Sequence, residues 1–133
     1  MRKLLTVLSV IVIACSACTH EKGMVIGGKG GNATLVVYPR HHGNTANLDS
    51  LKVYIKYNSL DAPVDSLYDD SAACVRADTL QYATFPGLKN GNYYIYGKGY
   101  DFAISQRVKG GLPYSITQQQ SQNYNLPVSE GSH

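Results

Sequence analysis

This 133-residue chain has no tryptophan and only three cysteines, and two of those three stand close together near the start. Cys74 is the only cysteine far from that pair, so a disulfide framework is excluded. A lone cysteine of this kind reads as a small buried apolar residue. No apolar run approaches the roughly 20 residues that a membrane-spanning helix needs. No convincing helical periodicity is present; at most a single helical turn fits between Asp65 and Ala73. Charge of one sign is also missing. Without Arg2 and Lys3, 10 basic residues face 9 acidic ones. That balance predicts neither a basic patch for nucleic acid nor a polybasic stripe for lipid.

What the chain does have begins at its first residues. Arg2 and Lys3 precede an almost unbroken apolar run, Leu4 to Ile13. Ten residues are too few to span a bilayer but fit the hydrophobic part of a secretory signal. Ala14-Cys15-Ser16-Ala17-Cys18 follows. A small residue directly before a cysteine, after such a run, resembles the lipobox of bacterial lipoproteins. That resemblance implies cleavage before the cysteine and acylation of its thiol and new amine. Val12-Ile13-Ala14-Cys15 has the preferred aliphatic residue three before the cysteine, which favours Cys15; Cys18 is the alternative, with better small residues. At about 0.8 kcal/mol per buried methylene, several acyl chains make a permanent membrane anchor. Ser16 or Thr19, rather than aspartate, follows the candidate cysteines. By resemblance to sorted lipoproteins, this favours the outer membrane, on its periplasmic or surface face.

The organisation expected is a signal peptide over 1–14, a lipidated cysteine and glycine-rich tether over 15–32, one domain over 33–129 and a tail over 130–133. Gly28-Lys29-Gly30-Gly31-Asn32-Ala33 superficially matches a dinucleotide fingerprint, but it opens the β-branched run Leu35-Val36-Val37-Tyr38 rather than a helix. From there the pattern is short strands with turns between. Leu51 to Tyr57 alternates cleanly, with Leu51, Val53, Ile55 and Tyr57 on one face and two lysines on the other. Leu80 to Phe85, Asn92 to Tyr96, Leu112 to Ile116 and Tyr124 to Val128 are further strands. Asn90-Gly91 predicts a tight hairpin between two of them, because both residues tolerate positive φ. Pro113 and Pro127 lack an amide donor and suit strand ends or sheet edges. Eleven tyrosines suit half-buried strand positions, with the ring packed and the hydroxyl wet. Six to eight short strands at this spacing predict a sandwich or small barrel.

The stretch Phe85-Pro86-Gly87-Leu88-Lys89-Asn90-Gly91-Asn92-Tyr93, continuing to Gly99-Tyr100, resembles a signature of transthyretin-like sandwiches. These include the carboxypeptidase regulatory-like domains of Bacteroidota envelope proteins. The resemblance spans roughly residues 33–129. It implies a transthyretin (prealbumin)-like β-sandwich of about seven strands, with Phe85 and Leu88 in the core, Gly91 in the hairpin and Tyr93 starting the return strand. It implies no activity, since fold does not fix function. Hydroxyisourate hydrolases of this family share a C-terminal Tyr-Arg-Gly-Ser. This chain ends Val128-Ser129-Glu130-Gly131-Ser132-His133, without the Tyr-Arg, so that chemistry is not carried over.

Other constellations are weak. His41-His42 suggests a metal, but adjacent histidines in a strand point to opposite faces, and a solvated loop is the plainer reading. Asp49 is the nearest carboxylate in sequence; His20 and His133 lie near the ends. Asp61, Asp65, Asp69 and Asp70 lack the glycine and closing glutamate of a calcium loop. No glycine elbow surrounds a serine, and the His-x-His of related iron dioxygenases is missing. The tyrosines suit glycan stacking, although tryptophan is absent. Four of the seven aspartates precede Ser or Thr and then an apolar residue, at Ser50, Ser66, Ser71 and Thr79. About one such triplet or fewer is expected from composition. The pattern resembles the O-glycosylation acceptor of exported Bacteroidota proteins, and turn chemistry gives a local explanation. The expectation is therefore a non-catalytic envelope lipoprotein. It has no cofactor and no nucleic-acid partner, and it binds or supports another envelope component, such as a protein. The alternative is a ligand-binding protein, for glycan or metal, using the His41-His42 loop.

Overall fold

The computed structural model describes residues 26–45 and 47–131. The apolar run, Cys15, Cys18, His20 and His133 lie outside them. The strands in chain order are β1 (Lys29–Arg40), β2 (Leu48–Tyr57), β3 (Asp70–Ala73), β4 (Val75–Ala77), β5 (Leu80–Leu88), β6 (Gly91–Asp101), β7 (Gln106–Ile116), β8 (Ser121–Pro127) and β9 (Ser129–Glu130). They form two sheets, ordered β4-β5-β1-β8 and β3-β2-β6-β7-β9. Neighbours run antiparallel except β1 and β8, which are parallel. The molecule is an all-β sandwich.

Alternation builds the core. Leu35 and Val37 of β1, Ala83 and Phe85 of β5, Val53 and Ile55 of β2 and Tyr93 and Ile95 of β6 are all buried between the sheets. The β2 alternation falls as the pattern predicts, with Leu51, Val53 and Ile55 inward and Lys52 exposed opposite them. A smaller cluster of Leu48, Leu51, Val108 and Val128 fills one end, and Cys74 packs half-buried against both clusters. Pro127 lies on the edge strand β8, where its missing amide costs no ladder bond.

Several expectations are corrected. The domain begins before residue 33, because Lys29–Asn32 already belong to β1. Gly31 can approach the β5 end only without a side chain; a Cβ there would lie 2.1 Å from the Leu88 carbonyl oxygen. Glu130, expected in a tail, lies in β9. The stretch from Asp65 to Ala73 holds no helical turn; it ends in β3. Asn90-Gly91 does not make a hairpin. β5 and β6 belong to different sheets, so the turn carries the chain across the sandwich. Gly91 is still required there. Its φ is 154°, and a Cβ would lie 2.7 Å from Gly27 Cα.

Tyr93, which follows that crossing, departs from the wet-hydroxyl expectation. It is fully buried. Its hydroxyl donates to the Lys89 carbonyl (2.7 Å) and accepts from the Gly28 amide (2.8 Å). One side chain thus pins the start of β1 to the turn between sheets. Phe85 and Leu88 are buried in the core, as expected.

Candidate functional sites on the outer sheet face and at the β1 end

Residues that alternate with the core positions of β2 and β6 form the outer face of the five-stranded sheet. Strand register then decides which of them meet. Tyr54 of β2 lies opposite Tyr96 of β6, and Tyr96 lies opposite Gly111 of β7. Tyr68, from the loop between β2 and β3, stacks on Tyr96 with ring centroids 5.7 Å apart and planes 16° apart. It also meets Tyr54 at 5.5 Å. Gly111 leaves room for Tyr94, whose hydroxyl would lie 2.3 Å from a Cβ at that position. Burial pushes the Tyr68 phenol up to about 12, and its neighbours Tyr94 and Tyr96 add to the rise, so it stays a neutral donor.

Beside the tyrosines runs a row of cations. Lys52 lies opposite Lys98, and Lys98 opposite Lys109. Like charges directly opposite one another destabilise a sheet. Two of them lie near an aromatic face, with Lys52 Nζ and Lys98 Nζ 5.3 and 5.2 Å from the Tyr54 ring centroid. A hollow of about 640 Å³ is lined by Tyr54, Tyr68, Tyr94, Tyr96, Lys98 and Lys109. A second hollow of about 640 Å³ shares Tyr96, Lys98 and Lys109 with it and continues to Tyr100 and Arg107. The two make one groove with an aromatic floor and a basic rim. The near-neutral net charge had argued against any basic stripe. Pairing of three distant strands gathers one, which is why composition could not reveal it.

The second constellation lies where β1 ends. His41 makes a bridge to Asn44, with its amide donating to the Asn44 carbonyl at 2.9 Å and the reciprocal bond at 3.0 Å. His42 and Gly43 between them both have positive φ, 49° and 76°. Positive φ at both central residues is the requirement of a type I′ turn. The turn brings both imidazoles to one side, with ring centroids 4.1 Å apart. The buried Gln81 holds the following segment by donating to the Thr45 carbonyl at 2.9 Å and to that of Leu48.

His41 is corrected from a solvated loop residue to a buried one, only 4% exposed. Its Nδ1 donates to Asp101 Oδ2 at 2.6 Å, and its Nε2 meets Glu130 Oε2. Asp101 Oδ1 also accepts from the Ala103 amide. Burial opposes protonation of His41, but the hydrogen bonds to Asp101 and Glu130 and their charges outweigh it and hold its pKa above the ordinary histidine value. The hydrogen bond from His41 holds Asp101 below the usual carboxylate range; Glu130 is held low first by its own amide, then by His41. His42 remains exposed, its Nε2 3.9 Å from Glu130 Oε1.

Asp49 stays with Ser50, 3.3 Å from its hydroxyl, and is not the partner of His41. Asp101 and Glu130, 60 and 89 residues from His41, take that place. The acidic stretch does not converge on one point. Asp65 accepts from the Leu67 amide, Asp69 accepts from the Tyr57 amide and faces Lys56, and Asp70 pairs with Lys29. Ser50, Ser66, Ser71 and Thr79 are all exposed. Among the described residues, no helix is long and apolar enough to cross a membrane. Comparison with protein-family models, curated proteins and solved structures gives no match for this chain.

Proposed function

We propose that this chain is a lipid-anchored, non-catalytic protein of the bacterial outer membrane, with a transthyretin-like sandwich that binds another component of the envelope. The anchor rests on Arg2, Lys3, the apolar run and Cys15 or Cys18. The family reading is supported by Phe85 and Leu88, which take the core positions that the signature gives them. The observation that carries the binding role is the lysine row beside stacked tyrosines. Lys52 and Lys98, directly opposed beside the Tyr54 ring, are like charges that an anionic ligand would bring into balance. Stacked phenols and hydroxyl donors suit sugar rings. The ligand is therefore an acidic glycan, bound across Tyr54, Tyr96 and Lys98.

Binding of an oligogalacturonate and of a neutral cello-oligosaccharide to the purified full chain tests this. The uronate oligomer is expected to bind and to weaken with salt, and the neutral one to bind at least about tenfold less well. Lys98→Ala and Tyr96→Ala should each reduce uronate affinity by about fivefold or more. Equal affinity for both oligomers, or no loss in either variant, refutes the glycan reading. Palmitate labelling of Cys15→Ala and Cys18→Ala in the native host tests the anchor separately; a wild-type chain that takes no label removes it.

A second reading, a protein partner on the same face, is favoured by one observation. The loop between β2 and β3, which carries Tyr68, also exposes Leu60, Val64 and Leu67. Uronate-independent capture of an envelope protein, lost in Val64→Asp with Leu67→Asp, would select it.

A further inference from the structure

We propose that His41, His42 and Glu130 form a site for a divalent transition-metal ion of the zinc class, with Asp101 holding His41 in place. The site lies at the β1 end of the sandwich and is argued separately from the tyrosine groove. Among the described residues, one nitrogen from each histidine and one carboxylate oxygen of Glu130 lie within 4.8 Å of one another. Two imidazoles and a carboxylate are a donor set that zinc and its neighbours accept, leaving a fourth position for water.

Three features fit an ion better than a chance cluster of polar groups. The first is the turn. Adjacent histidines in an extended strand diverge, but positive φ at His42 and Gly43 folds them onto one side. A Cβ at Gly43 would meet nothing within 4 Å, so glycine serves the backbone there and not the packing. The second is the Asp101 carboxylate on Nδ1 of His41. A carboxylate on the far nitrogen of a ligating histidine fixes the tautomer and the ring and directs Nε2 outward. Asp101 is itself buried and held by the Ala103 amide, so the arrangement is rigid. The third is the gradient of exposure. The His41 side chain is 2% exposed, that of Glu130 43% and that of His42 77%. One ligand is fixed at the floor, and two at the mouth can adjust to an arriving ion.

The Glu130 carboxylate must swing outward to admit the ion, because metal–ligand distances are about 2.0–2.2 Å to nitrogen and oxygen. Its backbone is held: Glu130 of β9 pairs with Val108 of β7, and the Val128 amide donates to the Arg40 carbonyl just before His41. The ion would then clip the last strand to the end of the first. Asp101 is a positioning residue here, not a ligand.

The test uses the full chain in mild detergent, with Cys15→Ser and Cys18→Ser so that this Cys-x-x-Cys pair does not compete for metal. Calorimetric titration with zinc chloride is expected to give one ion per chain at micromolar affinity. Cobalt(II) should develop the visible d–d bands of a low-coordinate nitrogen–oxygen site. His42→Asn, which keeps a residue tolerant of positive φ, and Glu130→Gln should each weaken binding by about tenfold or more. Both are exposed, and unchanged circular dichroism would confirm that each variant folds. Asp101→Asn should weaken binding by about 10–100-fold while the bands keep their shape. His133→Ala should change nothing. Absence of stoichiometric binding overturns the site, as does binding that survives both His42→Asn and Glu130→Gln.

Discussion

Removing one oxygen atom from Tyr93 should cost this protein a large share of its stability. The ring is fully buried and sits edge-on to Tyr57, with centroids 5.8 Å apart. Tyr93→Phe keeps that packing and deletes only the hydroxyl. The Gly28 amide, whose 2.8 Å bond is buried, then has no acceptor, and the Lys89 carbonyl loses its 2.7 Å donor. An unpaired buried N–H costs about 1–3 kcal/mol and a lost carbonyl bond about 0.5–1.5 kcal/mol, so the expected loss is about 2–4 kcal/mol. Domains of this size are stable by only about 5–15 kcal/mol. The loss should appear in urea melts as a lower midpoint with an unchanged slope, and as a fall in Tm of about 10–20 °C. Hydrogen exchange at Gly28 should accelerate in parallel. Tyr114→Phe is the comparison: its hydroxyl donates to the Gln122 side chain in a part-exposed place, and its loss should cost less than about 1 kcal/mol. A Tyr93→Phe loss below about 0.5 kcal/mol, or one equal to that of Tyr114→Phe, would refute the argument that this hydroxyl ties the two sheets together.

Three further outcomes are expected. Gly91→Val should destabilise the domain by at least about 1 kcal/mol in urea melts, because it combines a positive φ with a side chain driven into the Gly27 backbone. Burial pushes the Cys74 thiol up to about 12, so the native protein at pH 8 should alkylate there roughly a thousandfold more slowly than a free cysteine, as followed by peptide mass; the buried neutral thiol adds stability that is full below about pH 9 and lost as pH rises toward 12. Ser50, Ser66, Ser71 and Thr79 are exposed, and chain purified from its native host should be heavier by whole glycans, with the excess falling as each is changed to alanine; an intact mass explained by lipid alone would leave only their turn chemistry.

The sequence by itself determined the class of fold. The alternation through Leu51, Val53 and Ile55 survives into the structure because period-two burial is a local property of an extended chain. Phe85 and Leu88 were placed in the core only by resemblance, and glycine at 91 was expected for a local turn, whereas the structure requires it for a close approach to the distant Gly27. The partner of each strand was not legible. Asn90-Gly91 reads as a hairpin locally, yet the chain leaves one sheet for the other there, because the β5 edge is already occupied by β1 and β4. The two candidate sites depend on the same long-range pairing. Lys52, Lys98 and Lys109 become one row only through the register of β2, β6 and β7. His41 reads as solvated from its polar neighbours. Its carboxylate partners are Asp101 at the end of β6 and Glu130 in β9; β8 runs parallel to β1, with Arg40 opposite Pro127, and so delivers Glu130 beside the β1 end. Local sequence sets which face a side chain takes; the order and register of strands set which side chains it meets there.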